Sequence, residues 1–182
     1  MIILQMRLEE LTMRIALNKI RRDNFNKNIK NNLLFLDFDG VINIPIFNFS
    51  LFTNKELEDL YNKANPDRIK NLNKLCKMFN LNIVISSSWR ISGLEYCIDY
   101  LLKSGLDPSI NIVGMTKLEK GYKKRFYKIY EYLIENPYFT NFIIIDDLDM
   151  FYLNSFLIKT KFEDGFDEKK LKEAIDLCNK FI

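Results

Sequence analysis

Residues 33–41 read LLFLDFDGV, an apolar run that ends in two aspartates, Asp37 and Asp39, and a glycine. A short apolar run bounded by such polar residues is typical of a strand buried in a parallel sheet. Ligands of open parallel sheets bind in the crevice beyond the carboxyl ends of the strands. Because side chains alternate along an extended strand, two acids that are two residues apart point to the same side. The stretch therefore predicts an acidic site at the end of a first strand.

Downstream of this stretch, short apolar runs alternate with helical patterns, which is typical of a parallel sheet wrapped by helices. Strands are predicted at about 32–37, 82–86, 110–114, 141–146 and 155–160. Helices are predicted on the stripe Leu72–Phe79, over 91–103, from Tyr122 to Leu133 and over about 167–181. Residues 41–53 contain Pro45 and lack helical periodicity, so a flap-like hairpin or loop is expected there. The expected fold is an α/β domain of three layers with a central parallel sheet of five strands.

The first 31 residues are expected to lie outside this domain, which spans residues 32–182. Leu4, Leu8, Leu11 and Ile15 are spaced as on one stripe of an amphipathic helix. The helix is predicted to end near residue 22, and the Asn- and Lys-rich stretch that follows has little to bury and reads as a linker. A solvated appendage or a helix for self-association is the simplest interpretation, and contact with nucleic acid or membrane is the alternative.

The composition excludes several classes of site. The chain of 182 residues has no histidine, which removes Ser-His-Asp and Cys-His mechanisms and zinc sites that need imidazole. Its three cysteines, Cys76, Cys97 and Cys178, are far apart and predict neither a disulfide framework nor a zinc knuckle. No apolar run reaches the roughly 18 residues of a membrane span, so a soluble, cytoplasmic protein without a membrane partner is expected. The net charge of +3 is compatible with a phosphorylated ligand but does not demand nucleic acid.

Two further predicted strands also end in polar residues. The second ends IVISSSWR, with Ser86, Ser87 and Ser88, and the fourth ends FIIIDDLDM, with Asp146 and Asp147. Carboxylates that converge on one crevice repel each other by on the order of 4 kcal/mol per pair at about 4 Å and an effective dielectric near 20. A hard cation with oxygen ligands relieves this repulsion, and Mg²⁺ is the usual one. Each aspartate alone could cap a turn, but two acidic pairs that end separate buried strands favour a metal site.

The segments LFLDFDGV, ISSSWR and IIIDDLD, in this order, resemble motifs I, II and IV of the haloacid dehalogenase-like (HAD) phosphatases. The chain is most similar to the small HAD domain of Swiss Army Knife RNA repair proteins, in which a serine or threonine pair precedes Trp-Arg as in Ser87–Arg90. The resemblance covers residues from about 33 to 181. It implies a Rossmann-like HAD fold and a Mg²⁺-dependent phosphomonoesterase that works through an aspartyl-phosphate intermediate.

The resemblance also implies roles for the four acids. Asp37 is then the nucleophile that takes the phosphoryl group and a Mg²⁺ ligand. Asp39 protonates the leaving oxygen and later activates the hydrolytic water, while its main-chain carbonyl ligates the metal. Asp146 completes the metal site. Asp147 supports this site through water or by orienting the basic residue of motif III.

The resemblance further implies two groups that bind the phosphoryl oxygens. Ser87 donates its hydroxyl, with Ser88 as a helper and Ser86 as the alternative if the alignment shifts by one residue. For motif III, Arg125 is favoured because relatives often begin the corresponding helix with a basic residue at this distance from the acidic pair. The family often has glutamate at the position of Lys128, so the lysine of this chain departs from the family pattern. Two other bases remain candidates, namely Lys124 and Lys120.

The segment around Arg125 interleaves basic and aromatic residues. Such a pattern can follow a nucleic-acid backbone and stack its bases. An amphipathic helix with a solvated basic face is the simpler interpretation, because the aromatic spacing is that of a core stripe. The residues concerned are Lys117, Lys120, Lys123, Lys124, Arg125 and Lys128, with Tyr122, Phe126, Tyr127, Tyr130 and Tyr132.

The intervals after motifs I and II are too short for a large cap domain. For a HAD phosphatase this implies an open site that admits a bulky phosphoester, such as an RNA or DNA end. Four aromatic residues could contact a base or sugar or could pack beneath the flap, namely Phe47, Phe49, Phe52 and Trp89. A phosphatase of small molecules, either sugar phosphates or mononucleotides, and a noncatalytic HAD-fold binding module remain the alternatives.

Overall fold

The computed structural model describes residues 2–27, with side chains from Leu8 onward, and residues 31–44, 63–118 and 124–182. Most of the predicted hairpin over residues 41–53 lies outside the described residues. The same is true of Phe47, Phe49 and Phe52 and of the motif III candidate Lys120.

Five parallel strands form one sheet in the order β3-β2-β1-β4-β5. The strands are β1 (Asn32–Leu36), β2 (Leu81–Ile85), β3 (Ile112–Met115), β4 (Asn141–Asp146) and β5 (Leu157–Lys159). Leu36 at the end of the central strand is in register with Ile85 of β2 and with Ile145 of β4. The carboxyl ends of these three strands therefore lie side by side, so the residues that follow them meet at one edge of the sheet.

Helices cover both faces of the sheet, which confirms the expected three-layer α/β fold. They are α1 (Ile2–Asn26), α2 (Pro66–Phe79), α3 (Leu94–Lys103), α4 (Arg125–Glu135) and α5 (Glu168–Phe181). Alternate side chains of β1 serve the two faces: Leu34 and Leu36 pack with α2, α3 and α5, whereas Leu33 and Phe35 pack with α1 and α4. The sheet is buried on both sides, which is why its strands read as continuous apolar runs.

Helix α1 packs on the domain through one of its faces. Met13 and Leu17 are buried beside α4 in the second core. The amide of Asn24 donates to the carbonyl of Phe139 at 2.6 Å, just before β4. The helix also continues to Asn26, beyond its predicted end near residue 22, because these contacts extend over its last turns. Leu8, Leu11 and Ile15 lie on the opposite, exposed face.

The three cysteines are buried and unpaired, as their spacing in the sequence predicts. Within the described part of the chain, no helix is both long and apolar enough to cross a lipid bilayer.

Candidate active site

Three carboxylates converge at the edge of the sheet where β1 and β4 end. Asp37 follows β1, Asp146 is the last residue of β4, and Asp147 comes next along the chain. Each offers one oxygen, and the three oxygens lie within 4.8 Å of one another. Asp37 is 3% exposed and Asp146 is fully buried. The in-register pairing of β1 with β4 accounts for this convergence.

Arg125 lies between the two buried carboxylates. It is the first residue of α4, and one guanidinium nitrogen, Nη1, donates both to Asp37 Oδ2 and to Asp146 Oδ2, the latter at 2.7 Å. Its Nε is also buried and has no hydrogen-bond acceptor among the residues that the structure describes. One positive charge thus faces two buried acids and a third nearby, which leaves the site with an excess of negative charge.

Burial and mutual repulsion shift the pKa values of these groups. Desolvation raises the pKa of Asp37, although the charge and hydrogen bond of Arg125, the Ser87 hydroxyl and the Phe38 N–H oppose the shift. Burial and the charge of Asp37 raise the pKa of Asp146 to about 7. Burial disfavours the charged form of Arg125, but the two carboxylates outweigh it and raise the pKa of the guanidinium. A further cation at this site would favour ionisation of both acids.

The serines after β2 differ in their surroundings. Ser87 is buried, its hydroxyl is close enough to Asp37 to lower the pKa of that carboxyl, and its Oγ accepts the N–H of Trp89 at 3.4 Å. Ser86 is also buried, and its Oγ has no partner among the described residues. Ser88 is exposed and begins a short 3₁₀ helix, Ser88–Ser92. Ser87 is therefore the serine of this group that contacts Asp37, and Ser86 is buried one residue before it.

The side chain of Asp39 does not belong to the group of three clustered carboxylates. Its Oδ2 accepts the indole N–H of Trp89 at 2.9 Å, and its Oδ1 accepts the amide of Asn43 at 3.2 Å. A turn of the chain from Phe38 to Asn43 holds this arrangement, since the N–H of Gly40 donates to the Asn43 carbonyl at 2.8 Å.

Gly40 allows this turn to pass close to the acidic cluster. Its φ of +69° is a conformation that other residues rarely adopt. A Cβ at this position would lie 2.9 Å from Asp147 Oδ2 and 2.9 Å from the ring of Phe162. The hydroxyl of Thr160 donates to the Gly40 carbonyl at 2.7 Å and ties the turn to the end of β5. The glycine of the DFDGV segment is therefore required by both its backbone conformation and the space available.

The basic residues around α4 that the structure describes are largely engaged within the protein. Lys128 is buried and pairs with Glu131 at 2.7 Å, Lys117 pairs with Glu135, and Lys124 lies over the ring of Phe151. Phe126, Ile129 and Leu133 pack in the core. These contacts favour an amphipathic helix over a strip that follows nucleic acid. Among the described motif III candidates, Arg125 is placed between Asp37 and Asp146, whereas Lys124 is directed to an aromatic ring.

Sequence reasoning missed two residues that support the site. Arg90 is buried, donates to the carbonyl of Ser87, and binds the Thr116 and Lys117 carbonyls at 3.3 and 3.2 Å, so it ties the loop after β2 to the end of β3. Asn43 also had no assigned role. The signal for Arg90 was its place directly after Ser-Trp in motif II. Asn43 offered no signal, because its part depends on the shape of the turn.

Comparison with known proteins identifies a family for this chain. A sequence model of the family described as the HAD domain in Swiss Army Knife RNA repair proteins matches residues 33–171. Neither the curated proteins nor the solved structures include a match to this chain. The matched segment contains the acidic cluster and all five strands except the first residue of β1. The chain therefore belongs to the family of HAD domains found in Swiss Army Knife RNA repair proteins.

Proposed function

We propose that the protein is a Mg²⁺-dependent phosphomonoesterase that acts through an aspartyl-phosphate on Asp37. The observation that carries this proposal is the convergence of Asp37, Asp146 and Asp147, with one oxygen of each within 4.8 Å of the others, at the end of the central strands. HAD domains are in general hydrolases of the phosphatase type, and the family match supports this class for the present chain.

The donor set fits Mg²⁺. Carboxylate oxygens of Asp37, Asp146 and Asp147 are hard ligands, and without imidazole or thiolate they favour Mg²⁺ over softer metals. The main-chain carbonyl of Asp39 would complete the protein ligands. When bound, the ion would supply positive charge that offsets the carboxylates and the phosphoryl oxygens.

The residues present can carry both halves of the reaction. A carboxylate oxygen of Asp37 attacks phosphorus and forms a new P–O bond, while the bond to the leaving oxygen breaks and Asp39 donates a proton to that oxygen. A water molecule then gives a proton to Asp39 and attacks phosphorus. The bond between phosphorus and Asp37 breaks, which releases inorganic phosphate and restores the carboxylate.

Positive charge and hydrogen-bond donors would hold the transferred group. Ser87 lies against Asp37 and would donate to a phosphoryl oxygen, with Ser88 assisting from the adjacent turn. Arg125 contacts Asp37, and its buried Nε–H would donate a hydrogen bond to a phosphoryl oxygen. Donors that already stand beside the nucleophile stabilise developing charge without reorganisation.

For the substrate, we propose a nucleotide or a nucleic-acid phosphate end. The family occurs in RNA repair proteins, which supports a nucleic-acid substrate. Between the 3₁₀ helix Ser88–Ser92 and β3, the chain forms α3 and a loop rather than an inserted cap domain. The site is thus left accessible on this side, which suits a polymeric phosphoester.

The test measures phosphate release by the full chain with Mg²⁺, after EDTA, and after Mg²⁺ is restored. Asp37→Asn is expected to abolish turnover while the circular dichroism spectrum and unfolding midpoint show a folded protein. Oligonucleotides with a 3′- or 5′-phosphate are compared with mononucleotides and sugar phosphates. Turnover by Asp37→Asn, or undiminished turnover in EDTA, would overturn the mechanism. Preference for mononucleotides would narrow the proposed substrate class to free nucleotides, and preference for sugar phosphates over all nucleotide substrates would overturn that class alone.

A further inference from the structure

The Asp39 carboxylate is held by two hydrogen-bond donors, one on each oxygen. Trp89 Nε1 lies 2.9 Å from Oδ2, and Asn43 Nδ2 lies 3.2 Å from Oδ1. A carboxylate oxygen has about two lone pairs that can accept a hydrogen bond. Each oxygen of Asp39 uses one of them for its donor, so the other is free to hold a transferred proton. The two donors therefore fix where the carboxyl group points without blocking its exchange of a proton.

The indole is itself rigidly placed. Its ring centroid lies 4.6 Å from that of Tyr100 and 5.6 Å from that of Phe38. The main-chain N–H of Trp89 donates to Ser87 Oγ at 3.4 Å, and Ser87 contacts Asp37. One short segment thus carries both the serine beside the nucleophile and the indole beside Asp39. Any shift of this segment would move both groups together.

A second chain of contacts fixes the other donor. The hydroxyl of Tyr100 donates to Asn43 Oδ1 at 2.7 Å, which turns the amide so that Nδ2 faces Asp39. Tyr100 is nearly fully buried in the main core. The orientation of Asp39 is therefore connected to the core on both sides, through Trp89 and through the pair Asn43 and Tyr100.

We propose that Trp89 is a positioning residue for Asp39, and that its indole N–H holds the carboxylate in the direction needed to exchange a proton with the leaving oxygen. This inference rests on the proposed phosphatase function. General acid catalysis contributes most when the leaving group is strongly basic, and a misdirected acid loses part of that contribution. Loss of the indole N–H should therefore harm alkyl phosphates more than p-nitrophenyl phosphate, whose leaving group is weakly basic.

The contact can be tested without catalysis, because Trp89 is the only tryptophan of the chain. A ¹H–¹⁵N spectrum of the full chain then contains one indole cross-peak. Asp39→Ala is expected to shift the indole proton upfield by more than the control Asp147→Ala does. An indole cross-peak that responds no more to Asp39→Ala than to Asp147→Ala would overturn the inference.

The kinetic test uses Trp89→Phe, which keeps an aromatic ring in the cluster and removes the N–H. We expect kcat/KM for an alkyl phosphate to fall by on the order of tenfold, and that for p-nitrophenyl phosphate by less than about threefold. Tyr96→Phe, which alters a neighbour of the same indole ring, is the matched control and is expected to leave the ratio of the two substrates unchanged. Unfolding midpoints verify that each variant is folded.

The outcomes separate this inference from the proposed function. An equal loss on both substrates in Trp89→Phe would show a role in packing alone and would overturn the positioning role. If the wild-type protein with Mg²⁺ releases phosphate from neither of these two esters nor from the oligonucleotides, mononucleotides and sugar phosphates, the proposed function fails, and the catalytic part of the inference fails with it. The cross-peak test would still decide whether Trp89 binds Asp39.

Discussion

Replacement of Gly40 by alanine tests whether Asp147 belongs to the metal site. The φ of +69° costs an alanine roughly 1–2 kcal/mol of stability. In a chain of this size, that loss lowers the unfolding midpoint by about 2–8 °C. In addition, the new Cβ would lie 2.9 Å from Asp147 Oδ2 and 3.1 Å from Asp147 Cβ. Asp147 must therefore move, and its carboxylate leaves the position where it faces Asp37 and Asp146.

The assay measures the unfolding midpoint with and without Mg²⁺. If displacement of Asp147 weakens Mg²⁺ binding on the order of tenfold, the stabilisation by saturating Mg²⁺ falls by about 1.4 kcal/mol. Gly105→Ala is the matched control, because Gly105 also has a positive φ, of +97°, but its nearest neighbour would be 3.8 Å from a new Cβ. This control is expected to lose stability and to keep the full response to Mg²⁺. Equal Mg²⁺ responses in the two variants would refute a role for Asp147 in metal binding.

Three further predictions concern charge and packing. Since the pKa of Asp146 is raised to about 7, the metal-free folded protein binds more protons than the unfolded chain between about pH 4 and 7. Its free energy of unfolding should therefore fall as the pH rises across this interval and level off above about pH 7. Urea titrations should show this slope, and Asp146→Asn should reduce it, leaving the smaller contribution of Asp37, whose pKa burial also raises. A slope as steep in the variant as in the wild type would contradict the assignment. Arg125→Met should destabilise the metal-free protein by on the order of 3 kcal/mol at pH 8, because it leaves buried carboxylates without their cation. The loss should be smaller at pH 6, where Asp146 takes up a proton. An equal loss at both pH values would argue against this electrostatic account. Leu17→Ala should lower the free energy of unfolding by about 2–5 kcal/mol, since Leu17 is 4% exposed. Leu11→Ala, at a position that is 55% exposed, should lower it by less than about 0.5 kcal/mol. Similar small losses in both variants would mean that α1 is not packed on the domain in solution.

Much of the fold could be predicted because its signals are local. Strands that are buried on both faces must be apolar throughout, and the runs before Asp37 and Asp146 show this directly. The boundaries were less accurate at the sheet edges, where β3 begins at Ile112 and β5 covers only Leu157–Lys159. Edge strands have one neighbour, so pairing rather than composition determines where they begin and end.

The site was predictable only as far as it depends on chain order and strand ends. Asp37, Asp146 and Asp147 could be expected to meet, because parallel strands bring their carboxyl ends to one edge. The choice of Arg125 among several neighbouring bases could be proposed only from a family resemblance. In the structure it follows from the point at which α4 begins relative to the two buried acids.

The sequence by itself determined the alternation of strands and helices and the acids at the strand ends, since both are written in short-range patterns of apolar and polar residues. Tertiary structure alone decided that Asp39 faces Trp89 and Asn43, that Arg90 is buried, and that α1 packs beside α4. These contacts join residues far apart in the chain or depend on the path of one turn. Their energies come from the packing of the whole domain, and the local repeat of apolar and polar residues does not specify that packing.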